Sequence, residues 1–255
     1  MDAAAMTAAR TAELRESLDR VHHRIDLACA KSGRSRDDVR LIVVTKFFPA
    51  SDVRALIDLG VTDIGESRDQ EASAKVEQVR EMTEPDRVPL VHMIGQVQTK
   101  KARSIVRYAD AVHSVDRARL VQALDRAASA AIDSGERTHP LPVTVQVDLA
   151  DGADERRGGV PIADVASLAD SVARCEALTL RGLMAIAPPD TVGDDVALRR
   201  AFEALARCHD RTRTAHPQAQ WLSAGMSADL EHAIAAGATH LRVGSAILGS
   251  RPPQR

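Results

Sequence analysis

The sequence predicts a single (β/α)8 barrel, the TIM barrel architecture, with an extra N-terminal helix, and three observations lead there. The chain has 255 residues, near the usual size of one such barrel. Short apolar runs alternate with helical patterns along it, and that alternation implies a parallel sheet. The last two apolar runs each end in a loop that combines glycine with serine, which is where barrels of this type place phosphate sites.

The first thirty residues read as a helix. Leu14, Leu18, Val21, Ile25 and Leu27/Ala28 recur at helical spacing, and Gly33 is a natural stop. This helix precedes the first strand, so residues 1–35 are an extension of one barrel domain covering 1–255. Strands are expected at 41–45, 62–65, 90–94, 111–113, 143–149, 180–186, 220–222 and 240–243. Helices are expected between them at 50–59, 69–82, 99–108, 116–134, 162–174, 194–215 and 227–236. The turn-rich stretches 136–142 and 188–195 fit loops between repeats, so no linker divides the chain.

Composition excludes several classes. Hydrophobic residues make up 44% and charged residues 27%, as in an ordinary globular protein. A net charge of −2 argues against a general attraction to nucleic acid or anionic membranes. The aromatic side chains are Phe47, Phe48, Tyr108, Phe202 and Trp221, a poor supply of stacking platforms for single-stranded nucleic acid. Cys29, Cys175 and Cys208 are widely spaced within helical patterns and read as reduced thiols. No Cys-x-x-Cys or His-Glu-x-x-His motif is present, so no metal ligands are expected. The N-terminus lacks a basic region followed by a long apolar stretch, and no run approaches a membrane span. The expected location is the cytoplasm.

Barrel enzymes build their sites at the C-terminal ends of the strands. Thr45-Lys46-Phe47-Phe48 follows strand one, Gly65-Glu66-Ser67-Arg68 strand two, and Gly95-Gln96 strand three, which carries His92. Residues 151–159 follow strand five, and strand six carries Met184. Ser223-Ala224-Gly225-Met226-Ser227 and Arg242-Val243-Gly244-Ser245 close the series. Small residues let backbone N–H groups approach an anion, and a helix N-terminus favours negative charge. Taken singly, Gly225 and Gly244 read equally well as tight turns and Ser227 as a helix cap; together, both loops point to phosphate. Lys46 alone reads as a solvated lysine. Closure of the barrel makes strands one and eight neighbours, so Lys46 is expected to face Arg242. A nearby cation favours a lysine's neutral form, which attacks aldehydes. A lysine and a phosphate site across one barrel mouth suit a phosphorylated aldehyde.

Other candidates carry less. Glu66 and Arg68 read as a rim ion pair, His92 as either a satisfied core residue or a ligand, residues 151–157 as a solvated loop, and Lys100-Lys101 and Arg199-Arg200 as exposed helix charges.

The same residues carry a resemblance. Val44-Thr45-Lys46, Gly65-Glu66-Ser67-Arg68-Asp69-Gln70-Glu71, His92-Met93-Ile94-Gly95, Val145-Gln146-Val147, Arg181-Gly182-Leu183-Met184-Ala185-Ile186, and the two closing loops extended to Glu231 and Gly249 lie in one order across residues 41–251. In these segments the chain resembles the pyridoxal phosphate homeostasis protein family, the PLP-binding barrel proteins, similar in fold to the barrel domain of alanine racemase. The resemblance implies pyridoxal 5'-phosphate (PLP) as cofactor, held as a Schiff base, the internal aldimine, on Lys46. It implies that Arg242 contacts the pyridine nitrogen and that Ser223, Gly225, Met226, Ser227, Gly244 and Ser245 hold the phosphate. Ser67, His92 and Met184 complete the implied cofactor set. Ser67 stands where the family commonly has asparagine, Ser245 where it has threonine, Gln96 where it has histidine and Val91 where it has tryptophan; the last two are expected to alter the pocket rim.

A carrier or regulator in vitamin B6 homeostasis, without firm catalytic activity and with no catalytic residue assigned, is favoured over an enzyme. Arginine only donates hydrogen bonds, so at the pyridine nitrogen it holds that atom unprotonated and weakens the electron sink. A racemase of this fold takes its second acid/base, a tyrosine, from an additional domain. This chain ends at Arg255, and its one tyrosine, Tyr108, is expected near the end of a barrel helix, away from the strand mouths. The alternatives are a PLP-dependent amino-acid enzyme such as a racemase, and a class I aldolase-like Schiff-base enzyme. Expected partners are the cofactor and apo PLP enzymes as recipients, with no nucleic acid or membrane, and the chain is expected to be a monomer.

Overall fold

A computed structural model describes residues 3–150, 158–191 and 193–250. The loop expected at 151–157 lies outside them. Eight strands form the barrel wall: β1 (Arg40–Val44), β2 (Asp63–Glu66), β3 (Leu90–Met93), β4 (Ala111–Val115), β5 (Leu141–Asp148), β6 (Leu178–Ala185), β7 (Trp221–Ser223) and β8 (His240–Val243). Each pairs in parallel with its neighbours, and the β1–β8 ladder closes the ring through Ile42↔Arg242 and Val43↔Val243. A two-residue strand, Val160–Pro161, adds to β5 beyond the eight expected.

The pleat puts alternate residues on opposite faces. In β1, Val43 joins the core shared with the surrounding helices, while Ile42 and Val44 sit together on the other, inner face. The helices are α1 (Ala3–Lys31), α2 (Ala50–Asp58), α3 (Asp69–Glu81), α4 (Ala102–Ile105), α5 (Ala118–Asp133), α6 (Val165–Ala173), α7 (Asp195–Ala215), α8 (Leu230–Ala235) and α9 (Ser245–Leu248). Among the described residues, no helix is long and apolar enough to cross a membrane.

Helix α1 lies across α2, α8 and α9, outside the β8–β1 seam. Leu14, Leu18, Val21, Ile25 and Ala28 are buried, whereas Leu27 is 58% exposed; the 4-3-4-3 spacing selects Ala28 rather than its neighbour. Arginines anchor the helix. Arg10 reaches Asp52 and the Leu248 carbonyl, Arg24 reaches Glu231 and the Ser227 carbonyl, and Arg34, just beyond the helix, reaches the Ile234 and Ala238 carbonyls.

Two expected helices and the place of one cysteine differ. The helix at 99–108 is a 3-10 turn, Thr99–Lys101, plus one α turn. The helix at 227–236 shrinks to Leu230–Ala235, because the Ser227 hydroxyl bonds another loop instead of capping it. Cys175 lies beyond the end of α6 rather than within a helix.

Candidate functional site

Lys46 sits in the turn after β1, which Phe48 N–H closes onto the Thr45 carbonyl at 3.1 Å. Phe47 has φ of +73°, a left-handed conformation costly for a bulky side chain and held only where surroundings impose it. Its N–H donates to the Glu71 carboxylate. Behind the turn, buried Lys75 Nζ donates to the Thr45 carbonyl at 2.8 Å, to Glu66 Oε1 at 2.7 Å and to Glu71 Oε1 at 3.2 Å. Thr45 Oγ1 donates to the same Glu66 oxygen at 2.6 Å. Burial raises the Glu66 carboxyl against the opposing pull of Lys75 and Thr45, and its second oxygen is buried without a hydrogen-bond partner. Glu66 therefore pairs with Lys75 and not with Arg68 as expected. Arg68 instead stacks 5.0 Å from the Phe47 ring centroid, and Lys46 Nζ lies 5.8 Å from the same centroid.

The loops after β7 and β8 meet. Ser245 Oγ and Ser227 Oγ are 3.1 Å apart, Ala246 N–H donates to Ser227 Oγ at 3.3 Å, and Arg242 N–H donates to the Gly225 carbonyl at 2.9 Å. Gly225 adopts φ of +92°, and a Cβ there would lie 2.7 Å from that of Ala233, so glycine is required. Met226 N–H is committed to Asp229 Oδ1 at 2.5 Å. Arg24 of α1 holds the Ser227 carbonyl from outside. Two hydroxyls and the amides of two small-residue loops form a donor set suited to a phosphate.

Arg242 lies inside the barrel below these loops and is 4% exposed. Ile42 is its ladder partner, and Lys46 follows four residues further along the chain, in the turn after β1. The guanidinium donates through Nη1 to Ser223 Oγ at 2.7 Å and through Nη2 to the Ala185 carbonyl at 2.8 Å, both neutral acceptors. Burial lowers its pKa to about 10, which leaves it charged at neutral pH. Ser223 is thus turned inward, away from the meeting point of Ser227 and Ser245. Its hydroxyl also meets His113 Nδ1 at 2.9 Å; His113 Nε2 meets His92 Nδ1 at 2.9 Å; and His92 Nε2 meets Asp63 Oδ1 at 2.8 Å. Both nitrogens of His92 are occupied within the barrel. Met184, wholly buried, is in register with Ser223.

Ser67 and Gln96 line a groove with Arg68, Lys100 and Lys101, and Lys101 pairs with Asp69 at 3.1 Å. Val91 is buried in the core shared with the helices, not at a rim. Tyr108 Oη donates to Asp69 Oδ1 at 3.3 Å, which places the hydroxyl beside the start of α3, closer to the β2 mouth than the expected position. Burial and then Asp69 push its pKa up. Among the described residues, no group of three histidine, cysteine or carboxylate side chains could hold a metal ion. Sequence reasoning missed Lys75, Glu71, His113, Asp63 and Arg24. The Glu71–Lys75 spacing of four on one helix was the available signal for the first pair, and a histidine inside a strand for His113.

The family model of the alanine racemase N-terminal domain matches residues 17–252. A relative from Mycobacterium tuberculosis (strain ATCC 25618 / H37Rv), a pyridoxal phosphate homeostasis protein, is 42% identical over 250 residues, covering 95% of this chain and 94% of its own. A relative of the same name from Escherichia coli (strain K12) is 33% identical over 240 residues, covering 94% and 97%. The structure of PipY from Synechococcus elongatus PCC7942, with PLP bound, matches with a TM-score of 0.76 and 29% identity, covering 92% of this chain and all of that one.

Proposed function

This chain belongs to the family of the alanine racemase N-terminal domain and its pyridoxal phosphate homeostasis proteins, and from that premise we propose that it binds PLP and acts in vitamin B6 homeostasis as a carrier or regulator. The observation that carries the reading is Arg242, a buried guanidinium bound only to neutral acceptors among the described residues, beneath a mouth that joins Ser227 to Ser245 and carries Lys46. A donor-only group at that depth suits an acceptor such as an unprotonated ring nitrogen. When bound, PLP supplies an aldehyde for Schiff-base formation and a ring that withdraws electrons.

Lys46 is the proposed attachment point, presented by the strained turn that Glu71, Glu66 and Lys75 clamp. Ser227, Ser245 and the backbone N–H groups of Gly225 and Gly244 are proposed to hold the phosphate, with Met226 in the same loop but its own N–H taken by Asp229 Oδ1. Met184, Ser67, Ser223 and His92 would complete the cofactor set, Ser223 and His92 through the hydrogen bonds that run from Arg242 into the barrel. Residues 1–255 are proposed as one barrel domain, with 1–35 as an extension from which Arg10 reaches the Leu248 carbonyl and Arg24 the Ser227 carbonyl. The proposed location is the cytoplasm, the proposed state a monomer, and the proposed recipients are apo PLP enzymes.

Titrating the apo protein with PLP and following visible absorbance tests the reading. One equivalent of PLP should bind and shift the cofactor band. Absence of any change at excess PLP contradicts it.

A further inference from the structure

We propose that Asp63, His92, His113 and Ser223 form a one-way hydrogen-bond relay that aims Arg242 at the cofactor's ring nitrogen, which makes His113 and His92 positioning residues. The inference rests on the PLP reading above and deepens it.

The direction follows from the two ends. A guanidinium only donates, so Ser223 Oγ accepts from Arg242 Nη1 at 2.7 Å. The hydroxyl proton is then free to go to His113 Nδ1 at 2.9 Å. His113 is fully buried, and burial, followed by the nearby His92, His240 and Arg242, drives its pKa well below the ordinary imidazole value. A neutral imidazole that accepts at Nδ1 carries its proton on Nε2. That N–H donates to His92 Nδ1 at 2.9 Å, and His92 in turn donates from Nε2 to Asp63 Oδ1 at 2.8 Å. A carboxylate only accepts, so the chain ends there. The opposite direction needs a doubly protonated His92 and strands the Ser223 hydroxyl proton among these partners.

The relay spans β8, β7, β4, β3 and β2, so it braces the barrel from one wall to the other. A buried arginine usually sits against a carboxylate. Here no carboxylate hydrogen-bonds the guanidinium among the described residues; Asp229 acts on it only through space, and the relay's own carboxylate, Asp63, lies at its far end, where it also takes Arg40 Nη1 at 3.1 Å. Arg242 therefore keeps its charge directed at the mouth while two of its N–H groups hold it in place. A purely structural polar core would support every ligand equally. A relay that aims Arg242 supports only ligands with an acceptor at the ring position it addresses.

The test compares PLP with 1-deaza-PLP, in which C–H replaces the ring nitrogen, on the full chain. Dissociation constants of both are measured by absorbance for the wild type, His113→Leu and His113→Asn, with Trp221, the one tryptophan, reporting folding. Its ring centroid lies 5.9 Å from that of His113. His113→Leu should weaken PLP about tenfold or more, the effect of losing one hydrogen bond's worth of alignment at a charged group, and change 1-deaza-PLP little. Asparagine places an acceptor near the Nδ1 position and should restore most of the loss. Should His113→Leu fail to fold, Ser223→Ala breaks the same relay one link nearer Arg242 and is read in the same way. Equal losses for both ligands, no loss, or a wild type that does not distinguish them overturns the relay. A wild type that binds neither ligand overturns the PLP reading instead.

Discussion

Lys75 Nζ lies 2.7 Å from Glu66 Oε1 in the protein interior, and both residues also hold Thr45, the residue before Lys46. The ion pair fixes the turn that presents Lys46, and removing one partner strands the other charge. Lys75→Met should lower unfolding free energy by about 3–5 kcal/mol, measured by urea denaturation, and should weaken PLP binding in whatever fraction remains folded. Glu66→Gln should cost less, since Lys75 keeps Glu71. Equal stability of wild type and Lys75→Met contradicts the clamp.

The meeting of Ser227 and Ser245 gives a second outcome. Ser245→Ala should weaken PLP by the worth of one hydrogen bond to a charged group, about 1.5–3 kcal/mol, and leave pyridoxal, which lacks the phosphate, nearly unchanged. Gly244→Val cannot serve as the same test. A Cβ at Gly244 would lie 3.2 Å from the Val44 carbonyl oxygen, so it disturbs β1 and with it Lys46. That variant should lose both ligands. Equal losses for Ser245→Ala would place the phosphate elsewhere.

Stability should fall in mild acid. Burial lowers the pKa of His113 well below its ordinary value and that of His240 to about 3. Both imidazoles are therefore protonated more readily in the unfolded chain. Stability is complete above the unfolded value of about 6.5 and declines as pH falls below it, by about 1.4 kcal/mol per pH unit for each histidine. For His240 the decline continues to about pH 3. Burial raises the Asp63 carboxyl, but the hydrogen bonds from His92 and Thr62 outweigh it and the net shift is downward. Its contribution is present above the usual carboxylate range and lost below it, outside the window of interest. Urea unfolding at pH 7.5, 6 and 5 should show the decline, and His240→Gln should flatten it. A level curve would mean these histidines are not held neutral.

The barrel was legible because its strands read as apolar runs and its helices as 3.6-residue stripes; α1 failed only at Leu27, one place from the buried Ala28. The phosphate loops were legible because Gly225 and Ser227, Gly244 and Ser245 are neighbours in sequence. The interior network was not. His113 meets Ser223 across 110 residues of chain, a contact that exists only once the barrel closes. Sequence proximity pairs Glu66 with Arg68, but Arg68 lies beyond the end of β2, where strand alternation no longer directs side chains, and the partner is Lys75 on α3.

Tyr108 bears on turnover. Its hydroxyl is committed to Asp69, and burial pushes its pKa up, so it is a poor proton acceptor. The purified protein with PLP should not exchange the Cα proton of alanine for deuterium at enzyme-like rates, followed by NMR under saturating substrate. Exchange that vanishes in Lys46→Ala would establish catalysis.

Borohydride reduction of the PLP-loaded protein, followed by peptide mapping, tests the central claim most directly. The account predicts the phosphopyridoxyl group on Lys46, and loss of the absorbance band in Lys46→Ala. Label on Lys31, Lys75, Lys100 or Lys101 with Lys46 unmodified would contradict it.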